Sequence, residues 1–216
     1  MGAKGVHKIT EDFEIELSKY TGAPYVICVD NLSNALFLSL YYEDIKGKKI
    51  TIPNRTYPSV PCEIIHCGGI IEFEEIEGEY LEGAYNLKGS KTWDSALRFT
   101  ADMYIPNTYM CISFTGAYKH LKLSKGGAIL TDDYEAYKWF KKARFSGRDE
   151  CSYHDDNFDN EPVIGWNFYM MPEISTRGLL LIQQFYTIDG IKIANNDLRI
   201  KYPDLSKFNV YKNGIS

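Results

Sequence analysis

Four polar clusters stand directly after segments that read as buried strands: Asp30-Asn-Leu-Ser33-Asn34, Asn54-Arg-Thr-Tyr57, Asp94-Ser-Ala96, and Ser113 through Lys119. Open α/β sheets bind their ligands at the carboxyl ends of the strands, so this placement marks the clusters as the walls of a binding site. None of the strands is followed by G-x-G-x-x-G or by a Walker loop, which counts against nicotinamide, flavin and nucleoside triphosphate. A different anionic ligand is expected. Metal chemistry has little support. Cys28, Cys62, Cys67, Cys111 and Cys151 form no C-x-x-C and no paired Cys/His spacing, so they read as reduced thiols and not as zinc ligands. His154 through Glu161 begins like a calcium loop, yet Asn160 stands where the sharp turn needs Gly and Trp166 where the bidentate Glu belongs; it reads as a solvated loop. His66 and His120 are isolated and receive no role.

The elements that must position these clusters follow an α/β rhythm. Thr10 is expected to cap a helix through Phe13, Leu17 and Tyr20 that ends before Gly22. Tyr25–Val29 is a continuous apolar run, the mark of a strand buried on both faces, and Ser33 then opens a helix through Leu36 and Leu40. Lys49–Pro53 reads as strand, Ser59–Cys67 as a helix stopped by Gly68-Gly69, and Ile70–Phe73 as strand. After Glu77 only about fifteen residues precede the next strand candidate, Lys91–Trp93, too few for a crossover helix and strand, so a loop or short hairpin is expected. Tyr109–Phe114 and Gly127–Thr131 are further strands, and Asp133–Phe145 is a helix with Tyr134, Tyr137 and Phe140 turned inward. Residues 146–165 read as irregular. A helical region over about Pro172–Phe185 is followed by a polar tail without a core pattern. The fold class is α/β, a mostly parallel sheet flanked by helices, in one domain over 1–216 with a helical tail from about 172.

Composition agrees with a globular chain: 216 residues, 44% hydrophobic and 25% charged. A chain of this length can bury a core without disulfide or metal staples. The formal charge of -5, with Lys and Arg dispersed, lacks the basic footprint of a nucleic-acid binder. No stretch approaches the ~18 apolar residues of a membrane span, and no leader is visible, so a cytoplasmic location without membrane or nucleic-acid partners is expected.

The clusters together resemble the pyridoxal-phosphate-dependent nucleotide-sugar aminotransferases of the DegT/StrS group. The segment that carries most of the likeness is Ile112-Ser-Phe-Thr-Gly-Ala-Tyr-Lys119-His-Leu-Lys-Leu-Ser-Lys-Gly126-Gly127-Ala-Ile-Leu-Thr-Asp132, similar to S-F-x-x-x-K-x-L followed by G-G-A-x-x-T-x-D around the cofactor lysine. In family order stand Asp30-Asn-Leu-Ser-Asn-Ala-Leu36 (like S-S-G-T-A-A-L), Ile52-Pro-Asn-Arg-Thr-Tyr57 (like V-P-S-x-T-F/W), Trp93-Asp-Ser-Ala96 (like E-D-A-A) and Gly165-Trp-Asn-Phe-Tyr-Met170 (like G-Y-N-Y-R-M).

The resemblance implies pyridoxal phosphate as cofactor, with Lys119 forming its Schiff base and moving the proton between donor carbon and cofactor. Asp94 would hold the proton on the ring nitrogen, and Tyr57 would stack on the ring. Ser33, Asn34 and their backbone N–H groups at a helix start, with Ser113, would hold the phosphate. Asn167, from the partner subunit of a homodimer, would complete that pocket. The implied reaction moves an amino group from an amino acid, glutamate in relatives, to a keto-sugar on a nucleotide. Taken singly, each residue also has an ordinary reading. Lys119 lies near Lys122 and Lys125 as a surface charge would, Asp94 and Ser33 could be helix caps, Tyr57 is one of 17 Tyr, and Asn167 could satisfy a loop backbone.

The chain departs from the family's pattern at several points. Leu32 stands where the family has Gly, Leu97 replaces a Gln that touches the cofactor ring, and Ser113 to Lys119 is one residue longer than usual. A strand and helix after Glu77, and the small C-terminal domain, have no counterpart in it. Two alternatives therefore accompany the aminotransferase reading: a non-catalytic binding or dimerisation protein, and a pyridoxal enzyme of altered reaction such as a dehydratase or racemase.

Overall fold

Side-chain alternation along the central strands decides how the chain layers. Val26, Cys28, Met110, Ile112, Ala128 and Leu130 pack into one buried cluster, while Ile27, Val29, Tyr109, Cys111 and Ile129 pack into a second on the opposite face. Successive strand residues point to opposite faces, so apolar runs without alternation produce a sheet covered on both sides. The structure, a computed structural model, describes residues 4–75, 83–116, 119–150, 161–187 and 202–212. In chain order the elements are α1 (Lys4–Thr21), β1 (Tyr25–Val29), α2 (Leu32–Tyr42), β2 (Lys49–Pro53), α3 (Ser59–His66), β3 (Ile70–Glu74), β4 (Tyr85–Asn86), β5 (Thr92–Ser95), β6 (Tyr109–Ser113), β7 (Gly127–Thr131), α4 (Tyr134–Ala143) and α5 (Pro172–Ile182). Short 3-10 turns follow at Gln183–Thr187, Leu205–Lys207 and Asn209–Tyr211.

The sheet is mixed. Its order is β1-β7-β6-β5-β4, with β5 and β6 parallel and the other three pairings antiparallel. β2 and β3 form a parallel pair that joins this sheet beyond β4 through an antiparallel bridge between Thr51 and Lys88, closed by backbone hydrogen bonds of 2.9 and 3.0 Å. Counting senses through these pairings, β1, β2, β3, β5 and β6 run one way and β7 and β4 the other. The common strand direction expected from the α/β rhythm is present, but β7 returns against it between β1 and β6. Strand sense depends on pairings between distant segments, which local periodicity does not encode.

β4 and β5 form the short hairpin expected after Glu77, with Tyr85 opposite Asp94 and Asn86 opposite Trp93. Gly89 makes its turn possible: φ is +100°, and a Cβ there would stand 2.5 Å from the Lys49 carbonyl oxygen.

Two helix starts differ from the sequence reading. α1 begins at Lys4, upstream of Thr10, whose hydroxyl is buried and hydrogen-bonds the Ser175 hydroxyl at 2.8 Å where α1 meets α5. Gly178 permits that approach, since a Cβ on it would lie 2.5 Å from the Phe13 ring. In α2 the cap is Asn31 and not Ser33: extended Asn31 accepts the Asn34 N–H at 2.8 Å. Asp133 does cap α4, accepting the Ala136 N–H at 3.0 Å.

A buried ionic cluster ties α1, β1 and α4 together. Arg144 is fully buried and donates to Glu14, to the Cys28 carbonyl and to Glu150 at 2.7 and 3.1 Å, while the Cys28 N–H donates to Glu14 at 2.8 Å. Residues 146–165 are irregular where described; Gly147 and Gly165 pass so closely that a Cβ on Gly165 would meet the Gly147 nitrogen at 2.0 Å. The calcium-like segment from His154 lies outside the described residues except for Glu161. Among the described residues no helix is long and apolar enough to cross a membrane, and no group of three or more His, Cys, Asp or Glu could hold a metal ion.

Candidate functional site

The carboxyl ends of β5 and β6 and the amino end of α2 enclose a cavity of about 550 Å³. Ser33, Asn34, Tyr57, Asp94, Ser113 and Lys119 all line it, so six of the seven residues singled out in the sequence meet in one place. Its volume lies within the roughly 300–1,000 Å³ of small-molecule sites.

Asp94 ends the buried side of β5 and is only 3% exposed. One carboxyl oxygen accepts the Ala96 N–H at 2.8 Å and the other accepts the Tyr85 hydroxyl at 2.9 Å. Burial pushes its pKa above the ordinary carboxylate value, while the Ala96 N–H, the Tyr85 hydroxyl and the Lys119 charge oppose that rise. Lys119 reaches in from the segment after β6. Its ammonium donates to the Ala96 carbonyl, and burial lowers its pKa against the opposing pull of Asp94. A desolvated amine of this kind is a better nucleophile near neutrality than a surface lysine.

At the start of α2, Asp30 gathers the polar groups. It accepts the Asn34 amide at 2.6 Å, the Asn31 amide at 3.0 Å and the Lys125 ammonium at 3.2 Å. The Ser33 hydroxyl donates to Ser59 at 2.6 Å. The Asn34 N–H is taken by the Asn31 cap, which leaves the first turn of α2, its positive dipole end and Lys125 facing the cavity. Gly127 lets β7 pass under this turn, since a Cβ there would lie 2.7 Å from the Leu32 nitrogen. Leu32 is 7% exposed and, with Leu97, forms apolar wall.

Asn167 is the exception. It does not line the Lys119 cavity but a neighbouring one of about 400 Å³, together with Asp30, Lys125 and Tyr169. Asp30 contacts the first cavity's polar groups and Lys125 borders both cavities, so Asn167 sits one side chain away from the α2 turn.

Three contributors receive no role from the sequence. Tyr85 bonds Asp94, Thr56 bonds Tyr85, and Tyr202 borders the same cavity from the tail. The tail docks by backbone: the Leu205 N–H donates to the Asn54 carbonyl at 2.8 Å, and Arg55 donates to the Tyr202 carbonyl at 3.0 Å. The N-x-x-Y spacing of Asn54 to Tyr57 located the receiving loop, but nothing in the sequence paired it with residue 202.

Residues 5–83 match the model of the DegT/DnrJ/EryC1/StrS aminotransferase family. No curated protein sequence matches the chain. Solved structures share its fold. A protein from Bacillus cereus ATCC 10987 described as a PLP-dependent aminotransferase superposes with a TM-score of 0.67 at 19% identity, over 83% of this chain and 59% of that one. A protein from Streptococcus pneumoniae described as a sugar aminotransferase, in its PLP form, gives 0.65 at 18%, over 83% and 60%. A variant of GDP-4-keto-6-deoxymannose-3-dehydratase with bound GDP-perosamine gives 0.64 at 15%, over 84% and 62%. The chain thus has the α/β fold of PLP-dependent aminotransferases and spans about three fifths of the length of these structures.

Proposed function

We propose that the chain binds pyridoxal phosphate through Lys119 and transfers an amino group from an amino acid, glutamate, to a nucleotide-linked keto-sugar. The observation that carries this reading is the convergence of an amine of lowered pKa and a 3%-exposed carboxylate on one cavity beneath a helix start. The donor set fits the cofactor: an amine for its aldehyde, a carboxylate for its ring nitrogen, and hydroxyls with a helix N-terminus for its phosphate.

When bound, pyridoxal phosphate supplies a ring that withdraws electrons from the donor carbon as it loses a proton. Asp94, buried at the end of β5, would face the ring nitrogen and favour its protonated form. Lys119 Nζ would hold the cofactor's aldehyde carbon and would serve as the base that moves a proton at the donor carbon. The first turn of α2, Ser33, Ser113 and Lys125 would hold the phosphate, and Asn34 would serve by holding Asp30 in place. Tyr57, 54% exposed, offers its face to the ring. Two copies associate as a homodimer, in which Asn167 reaches the partner's phosphate site.

The dehydratase neighbour supports a second reading, a pyridoxal enzyme that removes water from the sugar. The deciding experiment is an absorbance spectrum of the purified protein with and without pyridoxal phosphate, followed by borohydride reduction and peptide mass mapping. A reduced adduct on Lys119 is expected. An adduct on another lysine, or none, overturns the reading. Conversion of the loaded protein by glutamate in the absence of sugar is common to both readings; an aminated sugar product selects the transferase.

A further inference from the structure

Asp94 does not stand alone at the end of β5. The carboxyl oxygen not held by the Ala96 N–H accepts the Tyr85 hydroxyl at 2.9 Å, and the Tyr85 oxygen is itself hydrogen-bonded to the Thr56 hydroxyl. A phenol has one proton to give. With that proton on Asp94, Thr56 must be the donor in its bond to Tyr85, so the three groups form a one-way chain from Thr56 through Tyr85 to the carboxylate. Successive donors polarise one another and strengthen the last bond. Tyr85 lies on β4, the two-residue strand of the 83–95 hairpin, directly opposite Asp94 in register, and Thr56 immediately precedes Tyr57.

We propose that Tyr85 is a positioning residue: anchored by Thr56, its hydroxyl fixes the orientation of the Asp94 carboxylate and keeps it negative toward the cofactor's ring nitrogen. The second half of that statement rests on the function proposed above; the first does not. The other titratable groups around Asp94 are Lys119 from the segment after β6, Cys111 beside it on β6, and Tyr57 and Tyr202 at the cavity wall. Of these, Lys119 is the one whose charge favours the ionised carboxylate, and the proposed chemistry engages its amine with the cofactor. Tyr85 is then the side-chain group left that favours the ionised carboxylate.

The test begins on the protein without cofactor, by 13C NMR titration of the side-chain carboxyl groups, with Asp94→Asn identifying the resonance. Tyr85→Phe should raise the Asp94 midpoint by about one pH unit, the shift expected for losing one hydrogen bond to a charged acceptor. Thr56→Val should raise it in the same direction by less, and serves in place of Tyr85→Phe if that variant does not fold. In protein loaded with 15N-labelled pyridoxal phosphate, the midpoint of the ring nitrogen should differ between Tyr85→Phe and the parent, while borohydride still yields the adduct on Lys119. An unmoved Asp94 midpoint overturns the role of Tyr85 even where the adduct forms. An adduct missing from the parent overturns the proposed function, and the cofactor-free titration still decides whether Tyr85 governs Asp94.

Discussion

The ring of Tyr202 stands edge-on to that of Tyr57, centroids 6.2 Å apart and planes inclined by 80°. This contact brings a residue from the far end of the chain to the wall of the cavity that Lys119 and Asp94 share. Burial raises the pKa of Tyr202, and the Asp94 charge adds to the rise, so its phenol stays neutral.

Tyr202 therefore supports the aromatic that would face the cofactor ring. Tyr202→Ala is expected to weaken pyridoxal phosphate binding by about 2- to 10-fold, the value of one aromatic pair. Equilibrium titration by absorbance measures it, with Lys207→Ala, on the exposed side of the same tail, as the control that leaves affinity unchanged. Equal affinities for Tyr202→Ala and the parent would remove Tyr202 from the site.

The pH dependence of cofactor capture follows from Lys119. Capture needs the neutral amine, and burial lowers the Lys119 pKa from the ordinary lysine range. The rate of adduct formation should accordingly rise with pH to a midpoint below that range. Asp94 pulls the other way, so Asp94→Asn should move the midpoint lower still. Stopped-flow absorbance across pH reads both, and a midpoint that rises in Asp94→Asn contradicts the assignment. Lys122→Ala should retain the adduct, as should Lys125→Ala at cofactor concentrations that offset its weakened phosphate site, whereas Lys119→Ala loses it.

The proposed homodimer has its own test by subunit mixing. Lys119→Ala and Asn167→Ala, each inactive, should regain about a quarter of parental activity after exchange, because about half the dimers are mixed and one of their two pockets is intact. No recovery after verified exchange means that Asn167 acts within its own subunit.

The Arg144 cluster sets stability. Removing one partner of a buried ion pair strands the other, so Arg144→Met should cost about 3–5 kcal/mol, read by urea denaturation. Burial alone would raise the Glu150 pKa, but Arg144 and Lys141 outweigh it and hold the carboxyl below its ordinary value. Its contribution is then present above the unfolded carboxylate pKa and lost as pH falls through the lowered folded value. Glu150→Gln should flatten the acid limb of the stability curve; an unchanged limb excludes Glu150 as its source.

How the sequence related to these features depended on the range of the interaction. Strands such as Tyr25–Val29 and Gly127–Thr131 were legible because a run of apolar residues between turn residues is itself the physical requirement for a strand buried on both faces. The clusters that hold Lys119, Asp94, Ser33, Asn34, Tyr57 and Ser113 were legible because each follows a strand or opens a helix, and the carboxyl ends of such strands converge, while the choice of residue within each cluster came from the family resemblance. The cap of α2 is Asn31 and not Ser33, two residues on, since Asn and Ser are both good caps and only backbone geometry distinguishes them.

Tertiary structure alone decided the antiparallel sense of β7, the arrival of Tyr85 at Asp94, and the docking of Tyr202 beside Tyr57. Each joins segments whose partners are set by which apolar faces bury one another across the whole chain. Local periodicity records that a face must be covered, while packing among all the elements chooses what covers it and which polar groups are carried into contact.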